Sequence, residues 1–123
     1  MALFNTTGFR LLEEGIDILT RSQELIGHNI SNQDTPGYKC RYLLFSGVLQ
    51  DKLNASENAK YKKELHLADY TYVDRNTYDQ PDGNNVDYDS QAALFEKQGL
   101  LIKALESQLN SEFTLMRSAM KRA

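Results

Sequence analysis

The residues of this chain best suited to nucleophilic catalysis are Cys40, His28 and His66. A catalytic cysteine needs a nearby base that takes its proton and a third group that orients that base. Nothing in the spacing of these residues shows that they meet, and His28 lies beside an expected helix end. The single cysteine also cannot form an internal disulfide bond. The sequence therefore favours a protein that is not an enzyme.

A second group of residues that could do chemistry is the oxygen-rich segment 79–89, which contains Asp79, Asp82, Asn84, Asp87 and Asp89. Such oxygens suit calcium, but the Asp-x-Asp-x-Asp-Gly pattern of a calcium loop and its closing Glu are absent. A turn followed by a helix cap explains the same residues without a metal. We therefore predict no metal, no cofactor and no small-molecule substrate.

The composition argues against several other classes of function. At 123 residues the chain is expected to form a single domain. Its net charge is −3 and it has no basic stripe, which argues against nucleic-acid binding. No apolar run approaches the roughly 18 residues of a membrane span. The N-terminus lacks the pattern of a cleavable secretory signal, so we expect either a cytosolic protein or one exported without such a signal.

Two long amphipathic helices are expected to position the polar segments. The first covers about residues 7–31, and its stripe has heptad spacing: Phe9, Leu12, Ile16, Leu19, Gln23, Ile26 and Ile30. The last begins between residues 87 and 90 and ends near 121, with the stripe Phe95, Gly99, Ile102, Glu106, Leu109, Phe113, Met116 and Met120. A second stripe beside it contains Leu94, Leu101, Leu105 and Leu115. This face is wider than one helix can cover, so it requires neighbours.

These patterns predict a mainly α fold, in which the N- and C-terminal helices pair as an antiparallel or a parallel coiled coil. Gly8, Gly15 and Gly27 each lower helicity by roughly 1 kcal/mol relative to Ala, so packing must stabilise the first helix. The middle, residues 32–86, is expected to be irregular or partly β. Residues 52–64 could form a short charged helix or stay disordered, and residues 65–73 favour a short strand or an extended arm.

Tyrosines concentrate in the second half of the chain, at Tyr61, Tyr70, Tyr72, Tyr78 and Tyr88. Tyrosine offers rigid amphipathic contact area and is common at interfaces. The same residues could instead pack a middle arm against the chain's own helices. The sequence leaves both interpretations open.

Turn-forming residues bound both helices on the side that faces the middle of the chain. In residues 29–39, the Asn29 side chain favours ending a helix, Pro36 disfavours helical angles before it, and Gly37 can adopt positive φ. Residues 79–85, with Pro81 and Gly83, form a second turn cluster that leads into the last helix. We predict that both turns set geometry rather than perform chemistry.

The same turns carry a resemblance to a known family. His28-Asn29-Ile30-Ser31-Asn32, followed by Thr35-Pro36-Gly37-Tyr38-Lys39, resembles the N-terminal signature of the rod and hook proteins of the bacterial flagellum, with His28 and Ser31 where Asn and Ala are usual. Asp82-Gly83-Asn84-Asn85-Val86-Asp87 is similar to the proximal-rod members, and so is the short length. The resemblance covers roughly residues 1–50 and 80–123.

The resemblance implies a structural subunit whose terminal helices pack side by side in a helical tube, transmitting torque and continuing the export channel. It implies partners: other copies of itself, other rod proteins, the basal-body membrane ring and the export apparatus. It also implies a periplasmic location, reached through the flagellar type III channel without a cleaved signal peptide. The residues expected at the helix seam or assembly interface are Phe9, Leu12, Ile16, Leu19, Ile26, Ile30, Asn29, Asn32, Thr35, Pro36, Gly37, Tyr38, Asp82, Gly83, Asn84, Val86, Ile102, Leu105, Leu109, Phe113 and Met116.

One alternative comes from a different class of protein. An amphipathic helix can also bind a single partner by laying its apolar face into a groove. The chain would then be a soluble helical adaptor or regulatory module.

Overall fold

A computed structural model of the protein describes residues 7–57, 67–75, 77 and 79–122. Its elements are helix α1 (Thr7–Ser31), strand β1 (Arg41–Leu43), helix α2 (Phe45–Glu57), a 3-10 turn (Leu67–Tyr70), strand β2 (Thr71–Val73) and helix α3 (Tyr88–Lys121). The predicted mainly α fold with packed terminal helices is confirmed. None of the helices in the described ranges is apolar enough over sufficient length to cross a membrane.

Helices α1 and α3 run antiparallel, the orientation that the sequence left open. The rings of Phe9 and Phe113 meet edge to face with centroids 5.2 Å apart, near the start of α1 and the end of α3. Farther along, Gln23 Nε2 donates a hydrogen bond of 3.2 Å to the carbonyl of Phe95. Residue numbers rise along α1 as those of the contacted residues fall along α3, so the start of α1 lies against the end of α3.

Three glycines lie where the two helices meet. A Cβ atom at Gly15 would lie 3.5 Å from Leu105 Cδ1, and one at Gly27 would lie 3.8 Å from the Phe95 ring. On the other helix, a Cβ at Gly99 would lie 3.2 Å from Gln23 Nε2. The two α1 glycines, counted in the sequence only as a cost to helicity, therefore face the partner helix where its side chains come nearest.

Helix α1 also has a second buried face, which its heptad stripe does not predict. Ile18 is fully buried and packs with Leu43 of β1 and Val48 of α2. The partly buried side chains around this group are Leu25, Phe45, Leu49 and Tyr70. Because α1 is covered by α3 on one side and by β1 and α2 on another, it is buried more widely than a two-helix coiled coil requires.

The middle of the chain is more ordered than the sequence indicated. Strands β1 and β2 pair antiparallel, with Arg41 opposite Val73. Helix α2 begins at Phe45, ahead of the expected start at residue 52, because Val48 is fully buried in the core beside α1. The part of that predicted helix after residue 57, and residues 65 and 66 of the predicted arm, lie outside the described residues.

Lys52 links α2 to α1 through two ion pairs. Lys52 Nζ lies 2.9 Å from Glu14 Oε2 and 3.0 Å from Asp17 Oδ2. Burial lowers the pKa of Lys52, but these two carboxylates raise it by more, so its net pKa is raised. The ion pairs therefore hold the N-terminal half of α1 against the middle of the chain.

Candidate functional site

Four amide side chains are buried where α1 ends and α3 begins. Asn29 and Asn84 are fully buried, and Asn85 and Gln91 are nearly so. We call these four residues the amide cluster. Because an amide removed from water without hydrogen-bond partners costs a few kcal/mol, each of these groups is expected to be bonded.

Asn29 joins three elements through a single side chain. Its Nδ2 donates to the carbonyl of Arg41 and to Gln91 Oε1, both at 3.0 Å. Its Oδ1 accepts from the Tyr38 hydroxyl at 2.9 Å and from the Arg41 N–H at 3.0 Å. An asparagine side chain has two donor hydrogens and one oxygen with two lone pairs, so all four positions are used. The last turn of α1 is thereby fixed to the start of β1 and to α3.

Asn84 links the second turn to the first through hydrogen bonds. Its Nδ2 donates to the carbonyls of Asn32 and Thr35 at 2.9 and 2.8 Å, across about fifty residues of chain. Its Oδ1 accepts from the Val86 N–H at 2.7 Å, which shapes its own turn. The two turn motifs therefore form one structure instead of bounding two helices separately.

Asn85 continues the connection toward the small sheet. Its Oδ1 accepts from the Cys40 N–H at 2.7 Å, and its Nδ2 donates to the carbonyl of Asp74 at 2.8 Å. Its own N–H donates to the carbonyl of Tyr38 at 3.2 Å. This residue links the second turn to both segments that form the β1–β2 pair.

The two glycines of the turns lie in contact. Gly37 and Gly83 have φ angles of 74° and 84°, a region that strongly favours glycine. The Gly37 N–H donates to the carbonyl of Asp82 at 2.9 Å, and a Cβ at Gly83 would lie 3.4 Å from Gly37 Cα. Lys39 Nζ completes the contact, donating to the carbonyl of Gly83 at 2.6 Å. Residues 29–39 and 79–91 thus form one unit, which we call the joint.

Three ionisable groups around the amide cluster, Tyr38, Cys40 and Tyr42, stay neutral around physiological pH. Gln91 Nε2 donates to the Tyr42 hydroxyl at 2.8 Å, and burial raises the pKa of that hydroxyl to about 12. Burial also raises the pKa of Tyr38 and of the Cys40 thiol. A raised thiol pKa disfavours the thiolate that a nucleophilic cysteine needs. Cys40 is therefore a buried structural side chain that lies close to the Asn85 carbonyl.

The apolar residues that were predicted for the helix seam are buried to different extents. Phe9, Leu19, Ile26 and Met116 are buried, and Phe113, although more exposed, contacts Phe9. The remaining seam residues are half-buried: Leu12, Ile16, Ile30, Ile102, Leu105 and Leu109. Their contribution to contacts between subunits stays a prediction.

The predicted turn residues differ in how deeply they are buried, and the exposed ones are called the outer set. Asn29, Asn84 and Val86 are buried within the chain, so their side chains hold the joint together and do not face a neighbour. Asn32, Tyr38 and Gly83 are half-buried, whereas the outer set is exposed: Thr35, Pro36, Gly37 and Asp82. Sequence reasoning missed Asn85 and Gln91 as functional candidates, although Asn85 adjoins Asn84 and Gln91 follows the Asp87 cap by one helical turn.

Within the described ranges, no three His, Cys, Asp or Glu side chains are grouped as metal ligands would be. Asp87 instead caps α3, accepting from the Asp89 N–H at 3.2 Å and from the Ser90 hydroxyl at 2.8 Å. Asp82 accepts from the Asn84 N–H inside the turn. His66, one of the possible catalytic bases, lies outside the described residues.

Paired terminal helices held by a joint of two turns place the chain in the class of mainly α proteins. Comparison with known proteins shows which proteins the chain is similar to. The chain is 27% identical over 128 residues to the flagellar basal body rod protein FlgB of Bacillus subtilis, covering 98% of this chain and 97% of that protein. It is 25% identical to FlgB of Escherichia coli strain K12, covering 89% and 92% of the two chains.

A third relative has the same name. FlgB of Aeromonas hydrophila is 25% identical to this chain, and the alignment covers 98% of each of the two proteins. No protein-family model matches the chain. The chain is thus similar over most of its length to several proteins named flagellar basal body rod protein FlgB.

Proposed function

We propose that this protein is a structural subunit of the proximal rod of the bacterial flagellar basal body. The observation that carries the proposal is similarity over nearly the whole chain to proteins named as flagellar basal body rod protein FlgB. The antiparallel α1–α3 pair and the joint supply a physical basis for that role, because packed helices and buried hydrogen bonds resist deformation.

The outer surface of α3 supports assembly with neighbours. Leu100 is 68% exposed, Leu115 is 65% exposed and Leu101 is 45% exposed, and Ala104 lies on the same side of the helix. We call these four residues the outer leucine face. An apolar face left uncovered by α1 is what a subunit needs if other helices complete its burial in a tube.

The joint supports a rigid connection between the two helices. Each buried hydrogen bond contributes only about 1 kcal/mol, but breaking one partner of a satisfied buried network costs more than that. Torque applied to α3 would therefore reach α1 through Asn29 and Gln91 as well as through the apolar seam. In this function the joint acts mechanically and performs no chemistry.

The finer parts of the proposal concern partners and location. The subunit is proposed to contact other copies of itself and other rod proteins, and to adjoin the membrane ring and the export apparatus. We also propose that it reaches the periplasmic rod through the flagellar type III channel, without a cleaved signal peptide. The similarity to basal-body rod proteins supports these partners and this location.

A gene deletion tests the function. A strain of the source bacterium without this gene should assemble no filament and should not swim in soft agar. A plasmid copy of the wild-type gene should restore swimming. Normal swimming of the deletion strain would reject the proposed function.

A further inference from the structure

Basic side chains lie on and just beyond the β1–β2 pair. Arg41 lies opposite Val73 in the antiparallel register, and both residues are exposed. Lys39 and Arg75 lie just beyond the paired residues and border the same groove. Together with residues of the first turn these side chains line an open groove of about 310 Å³: Pro36, Gly37, Tyr38, Lys39, Arg41, Val73 and Arg75. We call it the basic groove.

Two of the three cations in the basic groove have no acidic partner within the described part of the chain. Lys39 Nζ lies 2.5 Å from Asp79 Oδ1, so its charge is already compensated. Arg41 and Arg75 are exposed, and neither forms an ion pair with a described residue. A guanidinium group presents a planar set of N–H donors that matches a carboxylate, so the groove suits an acidic partner.

A groove of opposite charge lies on another side of the joint. It has a volume of about 400 Å³, and among the described residues its charged lining side chains are Asp34 and Asp87, both exposed. Asp87 also caps α3. We call it the acidic groove. Asn85 lines it and also donates to the carbonyl of Tyr38, a residue of the basic groove. The hydrogen bonds of the joint therefore connect the two grooves rigidly.

We propose that the basic groove of one copy binds the acidic groove of the next copy, with Arg41 and Arg75 facing the carboxylates of Asp34 and Asp87. This inference rests on the proposed function, because an open helical assembly requires two different and complementary surfaces on each subunit. The joint displays such a pair of surfaces in fixed relation. The contact sets the register between neighbouring copies, since charge pairs orient an interface and penalise wrong alignments.

Charge reversal tests the role of the basic groove. A chain with Arg41→Glu and Arg75→Glu should be incorporated into basal bodies at least about tenfold less than wild type, because it would present carboxylates to carboxylates. The matched control carries Arg21→Glu and Arg122→Glu, which change the net charge equally outside both grooves, and should be incorporated normally. Circular dichroism of both purified variants should show wild-type helicity. Normal incorporation of the groove variant would overturn the inference.

Crosslinking identifies the occupant. Two differently tagged chains, one with Arg75→Cys and the other with Asp34→Cys, are expressed together, and their basal bodies are treated with a short bismaleimide. A crosslinked dimer that carries both tags is expected from cells that produce the two chains together. Cells that produce either chain alone should give no crosslinked dimer. Absence of that dimer, although both chains are incorporated, would overturn the contact between copies. Absence of the wild-type chain itself from basal bodies would instead reject the proposed function.

Discussion

At the scale of single residues, the joint depends on buried amide side chains that are hydrogen-bonded through both their nitrogen and their oxygen. Asn29 is the clearest case, because its amide hydrogens go to two acceptors and its oxygen serves two donors. No other side chain of similar volume offers the same set. The network specifies one arrangement of α1, β1 and α3, since a shifted arrangement would leave buried polar groups without partners.

The substitution Asn29→Asp should destabilise the protein by about 3 kcal/mol, because a buried carboxylate would then face the carbonyl of Arg41 and Gln91 Oε1. Urea denaturation followed by circular dichroism measures this loss. The control Asn110→Asp makes the same change on the exposed side of α3 and should shift the free energy of unfolding by less than about 0.5 kcal/mol. Equal effects of the two substitutions would contradict the role of the amide cluster.

The hydroxyl of the half-buried Tyr42 makes the free energy of unfolding depend on pH in the alkaline range. Its pKa is raised to about 12 in the folded protein from its ordinary value of 10, mainly by burial. Because the neutral form is favoured by folding, the stabilisation is complete below pH 10 and is lost as the pH rises from 10 through 12. Chemical denaturation across this range should show a shallower decline for Tyr42→Phe than for wild type. A decline of unchanged steepness would show that Tyr42 does not titrate in this way.

At the scale of elements, the α1–α3 seam combines apolar residues with glycines that face the partner helix. Local spacing was sufficient to predict both helices, because the apolar stripe of each repeats every three or four residues. It was also sufficient to predict the two turns, which contain Pro and Gly at positions with special backbone requirements. The antiparallel orientation was not predictable, since either orientation buries the same stripes.

The features that could not be predicted from the sequence depend on contacts between residues that are distant in the chain. The bonds from Asn84 to Asn32 and Thr35 join two motifs that were each recognised separately. Val48 gave no local signal that it would be buried against Ile18. Strand β1 is only three residues long, too short for a period-2 pattern to be recognised.

The substitution Gly15→Ala should increase the free energy of unfolding by about 0.5–1 kcal/mol, because alanine favours the helix and its Cβ would make an ordinary contact with Leu105. A leucine at the same position should instead force the helices apart and destabilise the protein. Thermal denaturation of both variants distinguishes these results. Destabilisation by alanine and leucine alike would mean that the helices pack more tightly at Gly15 than the structure indicates.

At the scale of the whole molecule, one side of the long helix remains uncovered. Within the chain, α3 uses its inner face to pack on α1, whereas the outer leucine face is open to solvent. The substitutions Leu101→Asp and Leu115→Asp should preserve helicity, because surface changes are usually worth less than about 0.5 kcal/mol. They should nevertheless abolish swimming by preventing burial against a neighbour.

The matched variant for that prediction is Leu109→Asp, which places a charge on the half-buried inner face. It should also abolish swimming, but with a measurable loss of helicity in the purified protein. The two variants thus separate failure of assembly from failure of folding. Wild-type swimming of the Leu101→Asp and Leu115→Asp chain would exclude the outer leucine face as an assembly surface.

The central claim is that this chain is built into the flagellar rod. Its most direct test is to isolate basal bodies from a strain that produces a tagged copy in place of the wild-type chain, and to measure the tag by immunoblotting and mass spectrometry. The tagged chain should co-purify with the rod and resist extraction under conditions that remove peripheral proteins. Its absence from intact basal bodies of a swimming strain would contradict the account.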